Sequence, residues 1–148
     1  MKKIIRVLGE QITESFHITG DQIDAFANLT GDYNEIHMNE EFAKNQHFSG
    51  RIVHGLYMNS LVSTVMGMKL PGPGTVLMDQ TVTFVRPVVE GDTIAVQICL
   101  SEVEERYKNY IATIQIECEN QEHQTVLRAT CHQLMPKSIF EVGGIHND

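Results

Sequence analysis

An aspartate and a histidine five positions apart, Asp32 and His37, sit in the segment Leu29-Thr30-Gly31-Asp32-Tyr33-Asn34-Glu35-Ile36-His37. Residues 32–38 have neither a helical nor a strand period, which predicts an irregular polar loop in which a turn can aim both side chains at one spot. A carboxylate and an imidazole so placed can work as a general acid and base. Downstream, His54-Gly55 stands where an apolar helical pattern begins. The free N–H groups and positive end of such a helix can hold a developing oxyanion. Against this, an Asp in a Gly-Asp-x-Asn loop is commonly a turn or cap residue, and a lone His is commonly hydrogen-bonded structure. Asp32, His37 and His54 could also form a two-histidine, one-carboxylate metal set. Their spacing lacks the i, i+4 regularity of helical ligands, so no metal is expected.

The elements that must position these residues follow from periodicity. Gln11 to Ile18 alternates and predicts a short strand. Thr19-Gly20-Asp21-Gln22 has the form of a capping box opening a helix in which Ile23, Phe26, Ala27 and Thr30 share a face, with Gly31 placed to end it. Asn39 is a candidate cap for a short helix through Phe42 and Ala43. From about His54 to Met68 the pattern is apolar nearly all round, with Leu56, Leu61, Val62, Val65 and Met66 among small residues, which predicts a helix buried inside the fold. The period changes near Pro71-Gly72-Pro73-Gly74. Beyond it, four Val-, Ile- and Thr-rich stretches, Val76 to Val85, Thr93 to Val103, Tyr110 to Glu119 and Thr125 to Met135, predict strands. Their links, Glu90-Gly91-Asp92, Glu104-Glu105-Arg106 and Asn120-Gln121-Glu122, are of hairpin length and predict an antiparallel meander. The expected class is therefore α+β, a curled sheet wrapping one helix.

The 148 residues suit one domain, spanning 1–148 with a core at about 10–136 and short extensions at both ends. At 42% hydrophobic and 20% charged the composition is globular. A net charge of −8 from scattered acids argues against nucleic acid or an anionic membrane as main partner. Arg6 and Glu10 interrupt the first apolar run, so it does not read as a targeting segment. The Leu56 to Leu70 stretch is too short and too polar to span a bilayer. Cys99, Cys118 and Cys131 are odd in number and far apart, which fits free thiols in a reducing cytoplasm.

The combination Ala27-x-Leu29-Thr30-Gly31-Asp32-x-Asn34-x-Ile36-His37, Phe42-Ala43, Phe48 and Arg51-Ile52-Val53-His54-Gly55 resembles the MaoC-like hydratases and dehydratases of the hot-dog fold, which include (R)-specific enoyl-CoA hydratases. A weaker likeness continues through Leu70-Pro71-Gly72-x-Gly74 and Phe84-x-x-Pro87-Val88-x-x-Gly91-Asp92, covering roughly 12–135 in all. The resemblance implies Asp32 and His37 as the acid/base pair and the Gly55 N–H as donor to a thioester carbonyl. His54, Asn34 and Ser63 would support the site, Asn34 by shaping the loop and Ser63 by a hydrogen bond from the central helix. It implies hydration of a trans-2-enoyl-CoA to an (R)-3-hydroxyacyl-CoA, with coenzyme A as part of the substrate and no other cofactor, in a homodimer or higher homo-oligomer. The chain's acidity favours coenzyme A over an acidic acyl carrier protein. Glu35 stands where the family usually has proline, which would stiffen the loop; no catalytic group is lost.

Two other readings compete. Hot-dog thioesterases commonly carry an Asp or Glu on the central helix, and Gly55 to Met68 has none. A non-catalytic acyl-thioester-binding module would need the pocket but not both Asp32 and His37. Met58, Met66, Met68 and Met78 could line an acyl tunnel, although methionine in a buried helix more often fills core.

Overall fold

A computed structural model describes residues 2–144. Its elements are strand β1 (Ile4–Val7), strand β2 (Gln11–His17), helix α1 (Gly20–Thr30), the short helices α2 (Glu35–Met38) and α3 (Glu40–Asn45), helix α4 (Gly55–Met68), and strands β3 (Val76–Phe84), β4 (Thr93–Glu105), β5 (Asn109–Glu119), β6 (Thr125–Pro136) and β7 (Phe140–Gly143). Five strands form one antiparallel sheet in the order β2-β4-β5-β6-β3. The sheet alternates as half-buried strands must: Ile94, Val96, Ile98 and Leu100 of β4 point inward onto α4, and so do Ala112, Ile114 and Ile116 of β5. Each Val, Ile or Leu among them contributes about 1.5–3 kcal/mol by leaving water.

The capping box forms at the expected place. The Thr19 hydroxyl accepts from Gln22 N, the Gln22 side chain reaches back to Thr19 N, and Gly31 closes α1 at φ 81°, which glycine adopts without strain. Asn39 caps α3 by accepting from Phe42 N.

Four expectations need correction. The strands after the Pro/Gly turn are not a simple meander: β3 pairs with β6, so the segment from Val85 to Asp92 crosses from one side of the sheet to the other and makes no hairpin. β4 runs through Glu105, which moves the β4–β5 turn on to residues 106–108. Residues 32–38 are not wholly irregular, because Asn34 caps the single turn of α2 through Ile36 N. Helix α4 is buried on one face only. Met58, Leu61, Val62, Val65 and Met66 pack inward, while Leu56, Ser60, Ser63, Thr64 and Met68 are exposed.

The two ends also differ from expectation. β1 pairs in parallel with β7, and Phe140 and Val142 join the core, which therefore extends past the expected bounds of 10–136. No helix among the described residues is long and apolar enough to cross a membrane.

Candidate active site

The segment leading into α4 is held from three sides. Arg51, with its side chain 13% exposed, binds Asp24 of α1 at 2.7 Å, Glu90 at 3.1 Å and the Gly20 carbonyl at 3.3 Å. The two carboxylates hold its guanidinium above its ordinary range. Ile52 N donates to Ile36 O, and Val53 N donates to Val88 O. This fastening sets the Ile52 carbonyl, which lies 2.6 Å from His37 Nδ1. A carbonyl only accepts, so Nδ1 carries the proton and Nε2 is left free to take one.

Asp32 lies at the mouth of the loop, exposed, its carboxylate accepting from Asn34 N at 3.3 Å. His54 is 2% exposed and lies beneath the loop. Its Nε2 donates to the Asp32 carbonyl at 3.1 Å, and its ring stacks on His37 with centroids 3.9 Å apart. Ligand-capable atoms of Asp32, His37 and His54 all lie within 4.8 Å of one another. That separation lets a carboxylate and an imidazole share one water.

The same three residues do not suit a shared metal. A metal lies in the plane of each imidazole that binds it, at about 2 Å. Rings stacked 3.9 Å apart and only 26° from parallel have no common in-plane point at that distance.

Beside His37 opens an apolar cavity of about 260 Å³. Its lining includes His37, Gly55, Met58, Phe84, Val126 and Leu127. Gly55 is the first residue of α4, which has no side-chain cap and no acid in its first turn, so its positive end is not quenched from within. A Cβ at Gly55 would meet the Phe84 ring at 3.2 Å, which shows how closely that ring covers the helix start. A larger depression of about 450 Å³ lies on the opposite, solvent face of the sheet. It is lined by polar residues such as Gln11, Gln97, Gln115 and Thr130, and lacks an acid/base pair beside an oxyanion donor.

Among the sequence-derived candidates, Asp32, His37, His54 and Gly55 come together, and Asn34 shapes the loop. Ser63 does not join them: it is exposed on the outer side of α4 and lines no part of the cavity. Of the methionines, Met58 lines the cavity, Met66 is core, and Met68 and Met78 are exposed. Glu35 is the first helical residue of α2, the position where proline is also favoured, so the Asn34 cap supplies the stiffness a ring would give. The Ile52 carbonyl and the cavity wall at Phe84, Val126 and Leu127 were not singled out from the sequence, although Phe84 carries part of the motif that runs on to Pro87 and Val88.

A sheet curled around one helix, with an Asp/His pair near that helix's N-terminus, is the architecture of a hot-dog domain. The family model described as MaoC like domain matches residues 7–121, and the chain belongs to that family. It is 44% identical over 86 residues to a 3-hydroxybutyryl-CoA dehydratase of Methylorubrum extorquens, a match covering 58% of this chain and 55% of that protein. It is 34% identical over 93 residues to an (R)-specific enoyl-CoA hydratase of Rhodospirillum rubrum, covering 63% and 65%. The chain thus spans less than two thirds of the length of these curated relatives. Among solved structures, the (R)-hydratase from A. caviae involved in PHA biosynthesis superposes with a TM-score of 0.81 at 28% identity, covering 87% of this chain and 96% of that one.

Proposed function

We propose that this protein adds water reversibly to the α,β double bond of a trans-2-enoyl-CoA, giving an (R)-3-hydroxyacyl-CoA. The observation that carries the reading is the Asp32 carboxylate within water-bridging reach of His37, beside an apolar cavity whose wall includes Gly55 at an uncapped helix start. In hydration the water oxygen bonds to the β-carbon and one of its protons passes to the dyad. The dyad returns a proton to the α-carbon, and the thioester oxygen holds the negative charge between the two steps. His37 Nε2 is free for the transfer, Asp32 supplies the second group, and the Gly55 N–H polarises the carbonyl. The relatives named as hydratases and a dehydratase support the same chemistry. The scheme uses no metal and no cofactor beyond the coenzyme A of the substrate.

The protein acts as a homodimer in this reading. β3 is an outer strand with Val76, Leu77 and Met78 exposed, and Leu56 of α4 is 68% exposed, so an open edge and apolar side chains await a covering surface. A two-fold axis would place each patch against its copy. Static light scattering at micromolar concentration should give twice the chain mass. The free thiols, Cys118 and Cys131 buried among them, suit a reducing cytoplasm.

The deciding experiment follows the ultraviolet band of crotonyl-CoA with purified protein while free thiol is titrated. Loss of the band without thiol release is hydration. Release of thiol is hydrolysis and overturns the proposal.

A further inference from the structure

His54 is a buried titratable side chain to which the reaction scheme gives no task. It is 2% exposed and is not part of the cavity lining, so it reaches neither the solvent nor the apolar cavity. Its Nε2 donates to the Asp32 carbonyl at 3.1 Å, an ordinary N–H···O length, which leaves Nδ1 as a bare acceptor. That Nδ1 is buried and has no hydrogen-bond partner among the described residues. A buried acceptor without a donor costs stability. The ring is held between Phe26 of α1, with centroids 4.9 Å apart, and His37, at 3.9 Å. A plain aromatic ring would fill the same sandwich and leave no orphaned atom, so packing alone does not account for an imidazole here.

The imidazole touches both members of the dyad, each with a different part. Its edge ties the Asp32 peptide to the start of α4, while the Asp32 N–H is held from the other side by Thr30 Oγ1 at 3.2 Å. Its face lies against His37. The bond from His37 Nδ1 to the Ile52 carbonyl fixes one atom of that ring and leaves the ring free to swing about it; a second ring 3.9 Å away and 26° from parallel removes the swing and so aims Nε2. We propose, resting on the hydratase reading above, that His54 is a positioning residue: its edge holds Asp32, its face holds His37, and together they set the separation at which the two share a water. It exchanges no proton with substrate. Because a misplacement of about 1 Å costs about 10²-fold in rate, a strut between the two groups is worth the orphaned Nδ1.

The test measures kcat and KM on crotonyl-CoA, with a melting curve for each protein, for wild type, H54A, H54F and H54Q. H54F keeps the face without the donor, and H54Q keeps an N–H at about the reach of Nε2 without the ring. H54A lowers kcat about 10²-fold with KM changed by no more than about threefold, and H54F and H54Q each recover part of that loss, to about tenfold below wild type. H54F melts at or above the wild-type temperature, because the orphaned acceptor is gone. Turnover that falls while stability holds is a pattern a packing residue would not give. H54F and H54Q carry the test if H54A is not folded. In the D32N/H37Q background, where there is no dyad left to position, H54F costs no more than about a further twofold. Wild-type kcat in both H54F and H54Q, losses that only follow the loss of folded protein, or an undiminished H54F loss in D32N/H37Q overturns the role of His54 and leaves hydration standing. Absence of hydration by the wild-type protein overturns the underlying reading and this inference with it.

Discussion

Among the described residues, two aspartate–histidine pairs stand in contrast. Asp79 of β3 and His132 of β6 face each other across the sheet, with Oδ1 and Nδ1 2.5 Å apart, on the solvent side. Asp32 and His37 are less tightly joined, within 4.8 Å, in a loop against the start of α4. By contact distance alone the first pair would be the better dyad. Yet its side chains are 67% and 40% exposed, and it spends Nδ1 on the carboxylate in high dielectric. The second pair has a histidine whose tautomer is fixed by a backbone carbonyl, a free Nε2, an apolar cavity and, on one wall of it, Gly55 at an uncapped helix start. What separates a working pair from an ion pair is what surrounds it: a place for substrate and a donor for the charge that develops.

The largest expected effect breaks this comparison or upholds it. D32N and H37Q each lower kcat by about 10²–10⁴-fold, the range for loss of a positioned acid or base. D79N and H132Q change it by no more than about twofold. The double mutant D32N/H37Q loses far less than the product of the single losses, because both groups serve one proton-transfer sequence. Steady-state kinetics on crotonyl-CoA check all of this, and a large kcat loss in H132Q would reverse the assignment. Chelation with EDTA leaves turnover unchanged; loss with EDTA and recovery with a divalent ion would put Asp32, His37 and His54 around a metal after all.

The asymmetry between the pairs also explains how much was legible beforehand. Asp32 and His37 are five residues apart, so one local segment contains both, and Thr19, Gly31 and Asn39 announce the helix ends around them by side-chain chemistry. The strands of the sheet were legible because β4, β5 and β6 alternate over most of their 11–13 residues. Their order was not, since a link such as Glu90-Gly91-Asp92 has the same composition whether it turns back or crosses over. β1 and β7 are four residues each and pair across nearly the whole chain, leaving no local signal. The same holds for Ile52 O on His37, which depends on the Arg51 clamp to Asp24 and Glu90, and for Phe84 over Gly55. The polarity of Ser60 and Ser63 marked the exposed face of α4, but Leu56 and Met68 concealed it.

A smaller effect sharpens the role of the helix start. G55A keeps the N–H but places a methyl 3.2 Å from the Phe84 ring, so one of the two must give by a few tenths of an ångström. A shift of that size at a donor costs about tenfold in kcat. Combined with F84A, the added methyl has space, and part of the loss returns as a coupling between the two sites. Independent, additive losses would mean that Phe84 does not govern the position of Gly55.

Stability separates the two regions by a still smaller amount. The Asp79–His132 pair is exposed on both sides, so D79N should change unfolding free energy by no more than about 1 kcal/mol in urea titration. By contrast, I98A in the core beneath the same sheet should cost about 2–5 kcal/mol.

The smallest effect contrasts the two faces of the sheet through its thiols. Cys99 is on the solvent face and half-buried, whereas Cys118 and Cys131 point into the core. Burial, with the nearby Glu117 charge, pushes the Cys118 thiol up to about 12. Burial, with Asp79, pushes Cys131 up to about 11. Because the thiolate is the reactive species, native protein at about pH 8 should expose only Cys99 to a disulfide reagent, and denatured protein all three. The sign of the pH effect follows from linkage. Both folded values lie above the unfolded value of about 8.5, so the unfolded chain loses these protons first and binds fewer of them as pH rises. Their stabilising contribution is complete below about pH 8.5 and declines as pH climbs towards the folded values of about 11 and 12. The urea midpoint should therefore fall between about pH 8 and pH 10, with a shallower fall in C118A and C131A than in C99A. Equal slopes in all three variants, or three equally reactive thiols in the native protein, would mean that the inner face of the sheet is not the dry one.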